Sequence, residues 1–232
     1  MEPGSAPSSS GPPPRTPQKV WDAPTRLFHW LLTLLVALSW WTAEEREMEL
    51  HRWSGYLIVG LIVFRLYWGF AGPETARFAR FVKGPRVTLA YAFSIFRPRY
   101  SAGYGHNPLG ALSVVAILLA LVAQTGFGLF AVDTDGLESG PLARFVSYET
   151  AEIAADWHEA TFNLLLILIG LHVAAVAFYL AVKRINLVGP MITGRRARWE
   201  TGPAGGLTAR PLWRLALGLS LAALAVWALA TI

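Results

Sequence analysis

The chain has 232 residues, 54% of them hydrophobic and only 15% charged, which excludes an ordinary soluble globular domain and makes lipid the solvent for most of it. That length holds about five spanning helices of roughly 20 residues with their loops and excludes a further large soluble domain. The formal net charge is +5 and there is no cysteine; the second fact excludes structural disulfides, thiolate-bound iron–sulfur clusters and the thioether attachment of a c-type haem.

Residues 1–18 are rich in Pro, Ser and Gly and poor in apolar side chains, which predicts a disordered tail. The first apolar run starts near Leu27 with no A-x-A-like site after it, so a retained anchor is expected in place of a cleaved signal peptide. Apolar runs near 27–43, 51–71, 108–132, 157–182 and 211–231 each suit a hydrocarbon core of roughly 30 Å. In lipid such runs are helices, because backbone groups must pair internally. The expected fold class is therefore an all-α membrane protein. Between the second and third runs, Val87, Leu89, Tyr91, Phe93, Ile95 and Phe96 mix with Arg86, Arg97 and Arg99, which suggests a short interfacial segment. The third run has a legible start in Asn107 as cap and Pro108 at the first helical position. Gly126 and Gly128 near its far end suit close approach of a helix or a cofactor.

Charge sets the expected orientation. The tail, the 72–107 loop and the 183–214 segment, with Arg26 and Arg65, hold 17 of the 20 Lys and Arg residues, which places those faces on the cytoplasmic side. The other side, counting Glu159, has 11 acids against 3 bases. The N-terminus is then inside and the C-terminus, after a fifth span, outside. The acidic loops read equally as plain solvation or as a docking face.

Four of the five histidines lie in or at the rim of spans: His29, His51, His158 and His172. Ionisable groups are costly there, so each is a functional candidate. His158 and His172 are 14 residues apart, about 21 Å in height and within about 40° on one helix face. One helix thus offers ligands at two levels. By topology His51 shares the outer level with His158, and His29 the inner level with His172. Two imidazoles at each level suit bis-histidine haem, with no open position for oxygen or substrate. Zinc or copper transport would favour ligands at one depth with carboxylates or sulfur nearby. Arg65, 14 residues after His51, sits on nearly the same face at the inner level, where a haem propionate would meet it. Arg26, one turn before His29, is a second candidate, and interfacial snorkelling competes with both, more strongly for Arg26. Gly55 and Gly170 flank ligands where a porphyrin face would approach, and His106 reads as a turn residue more than as a quinone ligand.

The motifs V-W-D-A-P-T-R-L-F-H-W from Val20, H-R-W-S-G-Y from His51, F-R-L-Y-W-G-F-A-G from Phe64, G-H-N-P-L-G from Gly105, W-H-E from Trp157, L-H-V from Leu171 and N-L-V-G-P-M-I-T-G-R-R from Asn186 follow in order. This set resembles the bacterial cytochrome b561 family, close to the b-type cytochrome subunits of nickel-iron hydrogenases. The resemblance implies a four-helix transmembrane bundle over residues 19–198 that binds two b haems through His29, His51, His158 and His172. Residues 199–232 depart from it as a linker and a fifth helix, to which the sequence assigns only anchoring or partner contact. It also implies electron transfer between membrane quinone and an outer-face partner such as a hydrogenase, a c-type cytochrome or, in one branch, superoxide. An acidic outer side favours a basic redox protein over an anion. The expected partners are thus membrane lipid, quinone and a periplasmic redox protein, with a homodimer admissible and no nucleic acid. A non-redox anchor or assembly subunit is the competing class, and a transporter the third.

Overall fold

The computed structural model of the chain describes residues 18–94, 107–133, 138–196 and 210–232. The expected tail up to residue 17, Ile95, Phe96, Arg97, Arg99, His106 and most of the linker before the fifth helix lie outside these, while Gln18, expected as part of that tail, is in a strand. In chain order the elements are β1 (Gln18–Lys19), α1 (Ala23–Glu44), α2 (Met48–Ala71), α3 (Phe78–Phe81), α4 (Pro85–Ser94), α5 (Pro108–Phe130), α6 (Tyr148–Ala181), α7 (Val188–Thr193), β2 (Arg195–Arg196) and α8 (Leu212–Ala230). Among the described residues α1, α2, α5, α6 and α8 are long and apolar enough to cross a membrane. The protein is a helical membrane bundle.

Each helix forms where an apolar run meets a start and a stop. Asn107 caps α5 as expected, its Oδ1 accepting from Gly110 N at 2.7 Å, with Pro108 in the first turn. A three-residue turn, with Arg46 at φ 59°, joins α1 to α2 and forces them antiparallel. The largest departure from expectation is α6, which begins at Tyr148, nine residues before the apolar run. Ser147 caps it, accepting from Thr150 N at 3.3 Å, and Glu149 in the first turn favours the positive helix end. Ala151 and Ala154 are buried between exposed Glu149, Glu152 and Asp156, so this extension of about two and a half turns is amphipathic and emerges from the lipid. The acids read as a loop are therefore on a helix. Together with Glu44, Glu45, Glu47 and Glu49 they define an acidic end of the bundle. Arg26, Lys83, Lys183 and Arg214 mark the opposite, basic end.

Helix α2 is the axis of the packing, with α1, α5 and α8 against it, and α5 pairs with α6. One buried cluster, Ile58, Ile62, Ala120, Leu121 and Leu165, fills the middle of the bundle. A second, Phe28, Phe64, Trp68, Ala76 and Leu118, fills the basic end. Outward side chains such as Leu34, Leu119 and Leu171 are exposed as lipid-facing residues must be. In lipid, close van der Waals fit holds helices together more than apolar burial does. The α2/α8 seam has that fit: a Cβ at Gly60 would lie 2.7 Å from Val226 Cγ2, and one at Gly218 would lie 2.8 Å from Tyr67 Cδ1. Beside this seam Arg214 Nη1 donates to Ala71 O at 3.3 Å and Arg210 Nε to Gly72 O at 3.1 Å, pairing carbonyls at the end of α2. The fifth helix thus has an intramolecular role that its sequence did not disclose.

At the basic end, β1 and β2 pair antiparallel, Lys19 opposite Arg195. Gly194, at φ 77°, turns the chain out of α7, and its carbonyl accepts from Val20 N at 2.8 Å. A Cβ there would meet Trp21 O at 2.8 Å. The segments around α7 and the start of α1 are therefore one unit, placed one turn below His29.

Candidate functional site

His51 sits in the first turn of α2 and His158 in α6, and their ring centroids are 6.1 Å apart with planes at 86°. His51 Nδ1 is 2.9 Å from Ser39 O in α1, and His158 Nδ1 is 2.8 Å from Gln124 O in α5. A carbonyl only accepts, so both Nδ1 atoms carry the proton and both Nε2 lone pairs are left for a ligand. Fully buried Thr42 also donates to Ser39 O, at 3.0 Å. The Thr161 hydroxyl donates to Gln124 Oε1 at 2.5 Å and thereby turns the Gln124 amide toward His158 Nε2, 3.2 Å away. A metal at that nitrogen would take the place of this contact.

Around this pair lies a cavity of about 380 Å³, lined mainly by apolar groups from α1, α2, α5 and α6, with Val132 and Gly140 beyond α5 closing one side. Gly55 lines it, and a Cβ there would touch nothing within 4 Å, so the wall beside His51 is open. Arg52 pairs with Glu138 at its edge, both partly exposed, which ties the segment after α5 to α2.

His29 of α1 and His172 of α6 form the second pair, with ring centroids 6.4 Å apart and planes at 49°. Both are partly buried. The two lie at similar depth: α1 begins at Ala23, about 9 Å of helix before His29, and α6 ends at Ala181, about 14 Å after His172. Here the outer ring nitrogens are held differently. His29 Nδ1 is buried with no partner, and His172 Nδ1 has only the Ser113 hydroxyl at 3.5 Å.

Arg65 is 3% exposed, and its guanidinium lies 4.6 Å from the Phe78 ring centroid, where Phe78 also fills the space beside Gly69. Its Nη1 has no partner, while Asp22 acts on it electrostatically. Asp22 Oδ2 accepts from Trp68 Nε1 at 2.8 Å and Oδ1 is unpartnered. A buried arginine with a free N–H is costly unless an anion meets it. Arg26 is bound otherwise: Nη1 donates to Ile192 O, which fastens α7 beneath α1, and Trp30 Nε1 reaches Met191 O at 3.2 Å. Its Nε is buried without a partner.

An imidazole binds a metal at about 2 Å, so two rings sharing one ion stand about 6 Å apart between centres, as both pairs do. Among the described residues no group of three or more His, Cys, Asp or Glu side chains converges, so neither pair extends into a zinc-type cage. Two nitrogen ligands facing each other beside an open, apolar cavity suit a planar macrocycle that supplies the other four ligands itself. Sequence reasoning had no signal for Ser39, since hydroxyl side chains in spans are common. For Gln124 there was one: an amide in an apolar helix demands a partner.

The family profile described as prokaryotic cytochrome b561 matches residues 20–194, which covers α1 to α7 and stops before α8. A curated relative, the "Probable Ni/Fe-hydrogenase B-type cytochrome subunit" of Azotobacter chroococcum mcd 1, is 25% identical over 212 residues, 76% of this chain and 87% of that protein. No solved structure matches the chain.

Proposed function

The chain belongs to the prokaryotic cytochrome b561 family, and from that premise we propose that it is a di-haem b-type cytochrome that carries electrons across the bacterial inner membrane. The observation that carries this reading is the pair of facing imidazoles at each end of one bundle, 6.1 and 6.4 Å between ring centres. His51 and His158 would hold one haem b and His29 and His172 the other. When bound, each haem would supply a one-electron iron couple. The chain's own residues do the rest. Ser39 and Gln124 carbonyls orient the acidic-end imidazoles, the apolar walls exclude water, and Arg65 meets a propionate at the basic end. Arg26 stands in reserve there, its buried Nε unpaired.

The positive-inside bias supports a cytoplasmic basic end, and the family match over residues 20–194 supports reading 19–198 as the di-haem domain, with α8 as an addition packed on α2. Quinone is the expected exchange partner in the membrane. The relative's name couples that protein to a nickel-iron hydrogenase, and we infer a partner of that kind or a c-type cytochrome at the acidic end. Exposed Glu44, Glu45, Glu47, Glu152 and Asp156 there favour a basic protein surface over an anion such as superoxide.

The test is the reduced-minus-oxidised spectrum of the purified chain with haem counted per polypeptide, beside His51→Ala and His172→Ala. Two b haems in the parent, with each variant losing a different one, is the expected result. A folded, colourless protein would sink the assignment.

A further inference from the structure

We propose that α5 is a socket for the His158 imidazole and that Gly128 is the positioning residue that fixes the plane of that ring and its Nδ1–H bond to the Gln124 carbonyl. The inference rests on the reading of His158 as an axial ligand and adds to it the surface that sets the ligand's angle.

Gln124 and Gly128 are one helical turn apart on α5, so the carbonyl that receives Nδ1–H and the glycine share one face. The ring lies against Gly128: a Cβ there would stand 2.7 Å from His158 Cε1, 2.9 Å from Nδ1 and 3.6 Å from Nε2. All three nearest atoms belong to the imidazole, so the missing side chain makes room for this ring and not for a helix backbone. Gly126, two residues earlier, is different, since a Cβ there would meet nothing within 4 Å. The two helices are fixed relative to each other on both sides of the contact. Phe127 stacks on Trp157 with centroids 5.9 Å apart and planes at 21°, and Thr161 donates to Gln124 Oε1 at 2.5 Å. A methyl at position 128 therefore has one soft neighbour to push, the imidazole, and pushing it moves Nδ1 off the Gln124 carbonyl. A histidine ligand that donates its second N–H is a stronger base and holds the oxidised iron better. Loss of that bond raises the potential.

The experiment compares Gly128→Ala, Gly126→Ala and the parent as full-length chains. It uses redox titration of both haems and the low-spin ferric EPR signal, whose largest g value follows the angle between axial imidazole planes. The expected result is an upward shift of one haem's potential with a changed g value, or loss of that haem alone. The other haem and Gly126→Ala should stay parental. A Gly128→Ala protein with both signals at parental values overturns the socket. Pulsed EPR on the unmodified chain with 15N-histidine gives a reading that needs no variant. Strongly hydrogen-bonded remote N–H groups on both of this haem's imidazoles support the proposal, and one strong beside one weak overturns it, because the Ser39 carbonyl accounts for the His51 N–H alone. His158→Ala separates the two levels of the argument. If it keeps the haem, the ligand reading itself fails; if it loses the haem while Gly128→Ala is parental, only the socket fails.

Discussion

At the acidic end both imidazoles donate an N–H hydrogen bond to a main-chain carbonyl, His51 to Ser39 and His158 to Gln124, whereas at the basic end His29 Nδ1 is buried unpaired and His172 has only a hydroxyl at 3.5 Å. The charges differ in the same sense. Glu44, Asp133, Glu138 and Glu159 line the cavity of the first pair with Arg52 as its one arginine, while Arg65 lies buried toward the second. Main-chain carbonyls belong to the helix register and leave little for a side-chain substitution to remove. The basic end instead depends on individual side chains, and is the more adjustable of the two.

The largest effect to test this comparison is the order of the two potentials. Basic ligands and nearby carboxylates stabilise ferric iron, and a buried arginine stabilises the reduced, more negative site. On the proposed assignment the haem of His51 and His158 should therefore titrate at the lower potential, and His158→Ala should delete the lower wave of a two-step titration. If it deletes the higher wave, the contrast between the ends has been assigned with the wrong sign.

Next in size is Arg65→Gln. A charge-assisted bond to a buried anion is worth about 1.5–3 kcal/mol, and for a one-electron couple a tenfold change is about 59 mV. Removing the guanidinium should lower the basic-end potential by roughly 60 mV or more and leave the acidic-end haem in place. Equal shifts of both haems would mean that Arg65 acts through the whole bundle and not as a local partner. The buried guanidinium also packs on Phe78, so a fall in thermal stability is expected alongside.

How much of this was readable from the chain alone follows from what lipid forbids. Helical spans were legible because backbone groups cannot be left unpaired in hydrocarbon, and the two-level arrangement was legible because 14 residues return His158 and His172 to one face. The early start of α6 was not, because a hydropathy window cannot see a capped, acidic extension such as Ser147 to Asp156. Nor was the Trp68 bond to Asp22, which spans 46 residues. It depends on how α1 and α2 meet, as do the carbonyls chosen by His51 and His158. The role of α8 was hidden for a related reason. Gly60 and Gly218 are unremarkable in their own spans and acquire meaning only when α2 and α8 face each other.

The smallest effect is the sharpest for the comparison, because it asks whether the basic end has any counterpart to the carbonyl bonds. Ser113 is that end's only described hydrogen-bond partner for a ligand Nδ1, and at 3.5 Å it is at the limit of a useful bond. Ser113→Ala should therefore leave both haems bound and move the basic-end potential by no more than about 30 mV, roughly half the shift expected of Arg65→Gln. The hydroxyl can also rotate, so it imposes little orientation even when it bonds. A shift as large as that of Arg65→Gln would mean that Ser113 closes on His172 once the ligand is engaged. The two ends would then hold their histidines alike, one by main chain and the other by side chain.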